Sequence, residues 1–276
     1  MSLKHLLSIL ILLFPVLLVG QTNDPLEVRS TSNFTVGEQV TCYSKWLEEE
    51  RKLNIYLPQA YHPDSAQKYQ VIYLLDGSKE EDFIHIAGLV QFATFPWVKQ
   101  LPPTIVVGIG NVDRKRDFTY PSNNPEDQKY LPTNGGSAAF IKFLSEEVKP
   151  YVEANYAVDT LSTLIGQSLG GLLASEILIH EAQLFDRYII ISPSLWWDNA
   201  SLLRRPFRKK NHSVKAYVAV GKEGPVMENT AMELALKLKK AGIETTFDYF
   251  GEYDHGNIMH EAVYKAFKVL FKENTP

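Results

Sequence analysis

The chain has little cysteine: Cys42 is the single one among 276 residues, so neither an internal disulfide nor a cysteine-based metal site exists. It also lacks a charge excess of one sign. Lys and Arg number 28 against 32 Asp and Glu, and a net charge of −4 argues against nucleic-acid binding as the main role. Internal repeats, low-complexity tracts and linker-like stretches are missing as well. The one long apolar run, Leu6 to Val19, is shorter than the roughly 20 residues that span a bilayer, and Pro15 interrupts it. Lys4 and His5 precede the run and small Gly20 closes it, so residues 1–20 read as a signal peptide. That implies a periplasmic or secreted protein with no stable membrane insertion after cleavage. Residues 21–276, with 45% apolar content in the whole chain, suit one large domain.

What is present alternates. "QVTCYSKW" and "RKLNIYLP" read as two strands of an opening antiparallel meander. "YQVIYLL", "TIVVGIG", "TLSTLIG", "RYIIISP", "VKAYVAVG" and "TTFDYFGE" follow, most of them apolar throughout, as strands buried on both faces are. Helical spacing of apolar residues marks Ser137–Tyr156, Leu172–Ala182, Asn229–Gly242 and Ile258–Asn274. The pattern predicts an α/β fold with about eight strands in a mostly parallel sheet and helices on both faces. In such a sheet, ligands meet the loops at the carboxyl ends of strands.

One of those ends reads "GQSLGG". Gly166-Gln167-Ser168-Leu169-Gly170 matches G-x-S-x-G after a buried strand and before a helix, the context of a nucleophile elbow. A serine hydroxyl needs an adjacent base, which in this arrangement is a histidine after the last strand. "YFGEYDHGNIMH" offers His255 in a loop and His260 within the final helix; the loop position favours His255. The acid belongs between the serine and the histidine in chain order. Glu223, in the turn after "AYVAVG", holds that station, with Glu228 and Asp254 as alternatives and a Ser-His pair as a further one. Two backbone donors must face the developing oxyanion. The amide of Leu169 is one; the loop "LLDGSKEEDF" supplies the other through Ser78, or Lys79 if the turn is shifted. Asp76 reads as a brace of that loop.

Taken together, "LNIYLPQAYHP", "YQVIYLLDG", "IVVGIGNVDRKRDFTYP", "GQSLGG", "ISPSLWWDN" and "FGEYDHG", in this order, resemble the esterase D and enterochelin esterase branch of the α/β-hydrolases. The likeness runs over residues 36–272. It implies the α/β-hydrolase fold and serine esterase chemistry on a small-molecule ester. It further implies Ser168 as nucleophile, His255 as base, amides of Ser78 and Leu169 as oxyanion donors, and neither cofactor nor metal. The acid is the member it leaves open. A siderophore ester or a carbohydrate ester is the expected substrate type. Arg114 and Arg116 are candidate contacts for an acidic or catecholate acyl group, with Arg116–Asp117 as a loop tie the competing reading. Trp196 and Trp197 are candidate stacking surfaces, or core cover, and His85 lies where it would line a pocket. A non-catalytic binding module and an acyltransferase are the alternatives on the same scaffold.

Overall fold

Buried runs of β-branched and aromatic residues form the strands expected of them. Thr104–Ile109 (TIVVGI) is buried at every position, because its sheet is covered on both faces. The computed structural model describes residue 26 and residues 28–59, 61–64, 66–207 and 213–271. The expected leader, residues 1–20, lies outside the described residues. Two compact units divide the chain, Met1–Phe34 and Thr35–Pro276. Described residues of the first contain neither helix nor strand, and the second carries the sheet.

Eight strands are present: β1 Glu38–Ser44, β2 Glu49–Tyr56, β3 Tyr69–Leu74, β4 Thr104–Ile109, β5 Val158–Gln167, β6 Arg187–Ile191, β7 Lys215–Gly221 and β8 Glu244–Phe250. They lie in one sheet in the order β1-β2-β4-β3-β5-β6-β7-β8. β1 with β2 and β2 with β4 pair antiparallel; every other neighbouring pair is parallel. The meander and the parallel body therefore match the sequence pattern.

Described helices are α1 Phe83–Thr94, α2 Arg114–Asp117, α3 Pro125–Tyr130, α4 Ser137–Lys142, α5 Lys149–Asn155, α6 Leu169–His180, α7 Trp197–Arg204, α8 Pro225–Lys240 and α9 Met259–Leu270. One buried cluster packs α4, α6 and α8 on one sheet face, and a second packs α1 and α9 on the other. The helix expected over Ser137–Tyr156 is instead α4, a wider π-type turn at Phe143–Val148, and α5. α1 was not anticipated: Ile84 and Phe92 lie on its exposed side, which blurs the helical periodicity of "FIHIAGLVQFAT".

The polar stretch 114–136 is packed. Its Asp117 is buried against Arg51 of β2 at 2.7 Å, and Arg116 bridges Asp117 and Glu49 at 2.7 and 2.6 Å. Asp127 accepts the Ser122 hydroxyl and the Asp198 amide. These bonds satisfy buried polar groups that would otherwise destabilise the loop.

α6, which follows the serine elbow, is buried along nearly its whole length and includes a carboxyl, Glu176. Burial pushes Glu176 up to about 7, against the pull of the Ser137 hydroxyl and Arg205, and its Oε2 has no hydrogen-bond partner among the described residues. A carboxyl whose folded pKa is raised contributes most stability below its unfolded pKa and loses it progressively up to the folded value. Glu176→Gln should therefore leave the melting temperature near pH 4 almost unchanged. At pH 8 it should raise Tm by several degrees, because a carboxyl held at about 7 instead of 4.5 costs the fold up to about 3 kcal/mol once ionised. Calorimetry at the two pH values checks this; equal shifts at both would contradict it.

Candidate active site

β5 ends at Gln167 and α6 begins at Leu169, so the turn between them is the single residue Ser168. Its backbone sits at φ 59°, ψ −120°, a conformation that non-glycine residues avoid unless their surroundings impose it. The adjoining glycines permit the turn. A Cβ at Gly166 would lie 2.4 Å from the Gly170 carbonyl oxygen, and one at Gly171 would lie 3.0 Å from that of Ile191. Ser168 is thus lifted to the carboxyl edge of the sheet. Its amide donates to the Ile191 carbonyl at 3.1 Å, and its own carbonyl accepts the Ser194 amide at 3.0 Å.

Two further strand ends converge there. Glu223 follows β7, with its side chain 4% exposed, and His255 follows β8, with its side chain 46% exposed. His255 Nδ1 lies 2.6 Å from Glu223 Oε2. Gln167, next to the serine, donates its side-chain amide to the His255 carbonyl at 2.6 Å and so holds the histidine loop beside the elbow. Burial alone would raise the Glu223 carboxyl, but hydrogen bonds from His255, Ser192 and the Gly221 amide together hold it below its ordinary value. A carboxylate in this state fixes the Nδ1–H tautomer and leaves Nε2 as the proton acceptor. In this structure the Ser168 hydroxyl meets Ser194 Oγ at 3.4 Å, and no hydrogen bond joins Ser168 to His255 among the described residues.

The competing carboxylates have other tasks. Glu228 Oε1 accepts the Glu223 and Gly224 amides at the start of α8. Asp254 Oδ1 accepts the Gly256 amide, shaping the histidine loop. Neither bonds the imidazole of His255.

Of the two expected oxyanion donors, the Leu169 amide opens α6 and, as the first of a helix, has no intrahelical acceptor. The amide of Ser78 is not free: it donates to Glu81 Oε2 at 3.1 Å. Ser78-Lys79-Glu80-Glu81 is a turn, in which the Glu81 amide also returns to the Ser78 carbonyl at 3.0 Å. Asp76 braces this loop, as expected, accepting Arg114 at 2.5 and 2.9 Å and Asn111 at 2.7 Å.

That pairing corrects the reading of Arg114 as an open cation for an acyl group: its guanidinium is engaged bidentately by Asp76, with a further contact to the Gln167 carbonyl at 3.3 Å. Arg116 is likewise corrected to the loop tie with Glu49 and Asp117. Trp197 is fully buried and donates its indole N–H to the Tyr120 carbonyl, so it cannot stack on a ligand. Trp196 packs edge-on against Trp197 and stays 38% exposed, which leaves it available to a ligand. His85 bonds and stacks on His260, 2.9 Å between ring nitrogens. Both line a separate cavity of about 520 Å³ that neither Ser168 nor His255 lines. Two residues at the site were not anticipated, Ser192 and Ser194. Their signal was the "SPS" after β6, overshadowed by the tryptophan pair beside it.

A family model described as "Putative esterase" matches residues 44–269. Ferri-bacillibactin esterase BesA of Bacillus subtilis (strain 168) is 29% identical over 283 aligned positions, covering 93% of this chain and 97% of its own. Among solved structures, an IroE-like serine hydrolase from Shewanella oneidensis superposes with a TM-score of 0.75 at 29% identity, over 86% of this chain and 80% of that one. The BES protein from Bacillus cereus gives a TM-score of 0.73 at 28% identity, over 88% and 98%.

The contacts of the three carboxylates separate their roles. Glu223→Gln should lower turnover of a simple ester by about 10³ to 10⁴, the cost of losing the partner that holds the imidazole tautomer. Asp254→Asn and Glu228→Gln, measured on the same ester at the same pH, should cost far less. Turnover of Glu223→Gln within a few-fold of wild type would remove Glu223 as the acid.

Proposed function

Because the chain belongs to the esterase family of α/β-hydrolases and is a carboxylic ester hydrolase, we propose that it cleaves a siderophore ester through an acyl-enzyme on Ser168. The single observation that carries the chemistry is the 2.6 Å contact between Glu223 Oε2 and His255 Nδ1 beside the strained serine turn. The substrate class is supported by the relatives. Besides the ferri-bacillibactin esterase, a siderophore triacetylfusarinine C esterase of Aspergillus fumigatus is 38% identical over 90 residues, 32% of this chain and 28% of its own.

In the proposed reaction the Ser168 hydroxyl turns from Ser194 toward His255 Nε2, which takes its proton as Oγ attacks the ester carbonyl carbon. Glu223 stabilises the imidazolium so formed. The oxyanion is met by the Leu169 amide and by the Ser78 amide once exposed Glu81 has swung off it. Collapse breaks the carbon–oxygen bond, and the alcohol leaves with the proton from His255. Water then attacks the acyl-enzyme with His255 as base, releasing the acid and restoring Ser168. Export is also proposed, resting on the apolar run and small Gly20 of residues 1–20.

A panel of esters tests the substrate class: a siderophore lactone, feruloylated and acetylated sugars, an acyl-glutathione and a long-chain triglyceride. The siderophore lactone should lead in kcat/KM by at least about tenfold, equal to about 1.4 kcal/mol of transition-state binding. Ser168→Ala should abolish hydrolysis with the melting temperature nearly unchanged. A sugar ester or triglyceride at the head of the panel would contradict the substrate reading, and full activity in Ser168→Ala would contradict the nucleophile.

A further inference from the structure

We propose that Ser192 is a positioning residue that aims the Glu223 carboxylate at His255. This role presupposes the reading of Glu223 as the acid. The two oxygens of that carboxylate are divided between opposite sides. Oε2 faces His255 Nδ1 at 2.6 Å, while Oε1 accepts the Ser192 hydroxyl and the Gly221 amide, the latter at 3.0 Å. A backbone amide alone leaves a carboxylate free to tilt about that one bond. A second donor on the same oxygen fixes its plane, and with it the lone pair that reaches His255.

The backbone of Ser192 shows what its side chain is for. It sits at φ 43°, in the left-handed region that glycine enters without strain and other residues enter at a cost. Before Pro193, at the very end of β6, glycine would make the turn more easily. A serine stands there with its hydroxyl fully buried and directed at one acceptor, Glu223. Its amide donates to the Ala219 carbonyl at 2.8 Å, pinning it to β7, the strand that leads into Glu223.

The same turn also clasps the nucleophile, through the Ile191 carbonyl and the Ser194 amide on either side of Ser168. One short segment thus sets the acid relative to the serine, while the base is aimed from the acid. Hydrogen bonds from Ser192 and Gly221 also keep negative charge on Glu223, so the carboxylate orients the imidazole without taking its proton.

The test is a double-mutant cycle on p-nitrophenyl acetate with Ser192→Gly, Glu223→Ala and the two combined. Ser192→Gly removes the hydroxyl and accepts the positive φ. It should lower kcat at least about tenfold, the lower end of what orienting partners of a functional group cost, and leave KM within about twofold. In the Glu223→Ala background the same change should cause no further loss, because the hydroxyl acts through that carboxylate; a merely structural serine gives additive losses. Turnover of Ser192→Gly close to wild type, with Glu223→Ala still strongly impaired, would overturn the role of Ser192 and leave the acid in place. Glu223→Ala close to wild type would remove the acid and, with it, the role of Ser192. If Ser192→Gly does not fold, Ser192→Cys, with nearly the same volume and a weaker donor, should show the same kcat-selective loss that vanishes in the Glu223→Ala background.

Discussion

The hydrogen bonds that join the end of β5 to the turn after β6 hold the site together. Ser168 donates to Ile191 and accepts from Ser194, so a strained residue is gripped on both sides by its neighbour strand. Left-handed or related conformations at non-glycine residues cost roughly 1–3 kcal/mol each and persist only when the surroundings over-determine them. Three such residues, Asp76, Ser168 and Ser192, stand at the carboxyl ends of β3, β5 and β6. Each carries a side chain placed at that edge: Asp76 braces Arg114, Ser168 is the proposed nucleophile, and the Ser192 hydroxyl donates to Glu223. The parallel sheet supplies the rigidity, because its central strands are buried on both faces and leave only their ends for chemistry.

From that edge the polar groups form two connected sets. Asp76, Arg114, Asn111 and Glu81 tie the loop after β3 to the start of α2 and to the serine turn through the Gln167 carbonyl. Glu223, Ser192, His255 and Gln167 tie the ends of β5, β6, β7 and β8 together. Gln167 belongs to both sets, by its carbonyl to Arg114 and by its side chain to the His255 carbonyl. The arginine expected to greet a substrate therefore serves the scaffold. Its charge is matched by Asp76, while Trp196 and His255 stay exposed.

Much of this was legible in the sequence, for identifiable reasons. Strands buried on both faces leave nearly unbroken apolar runs, which marked the parallel body, while β1 and β2 were legible as an opening meander. The serine turn was legible because its glycines are sterically forced, and His255 because it follows the last strand. Glu223 was legible as a candidate by chain order together with its place in the turn after the penultimate strand. What escaped depended on contacts between distant segments. Nothing local says that Arg114 finds Asp76, that Arg116 finds Glu49, or that Trp197 turns inward to Tyr120. The glutamate on the Ser78 amide was open to inspection as an S-x-x-E pattern, yet its bearing on an oxyanion donor appears only in three dimensions. Ser192 was hidden for a similar reason: its left-handed backbone is invisible in a sequence that places serine, not glycine, at the turn.

The central claim is that the carbonyl carbon is attacked by Ser168 and not by water. Rapid acid quench during the first turnover of a p-nitrophenyl ester, followed by intact-mass measurement and peptide mapping, tests it most directly. The account predicts a covalent increment equal to the acyl group, located on the peptide that contains Ser168. Release of p-nitrophenol with no acylated protein at any quench time, or acylation at another residue such as neighbouring Ser194, would contradict it.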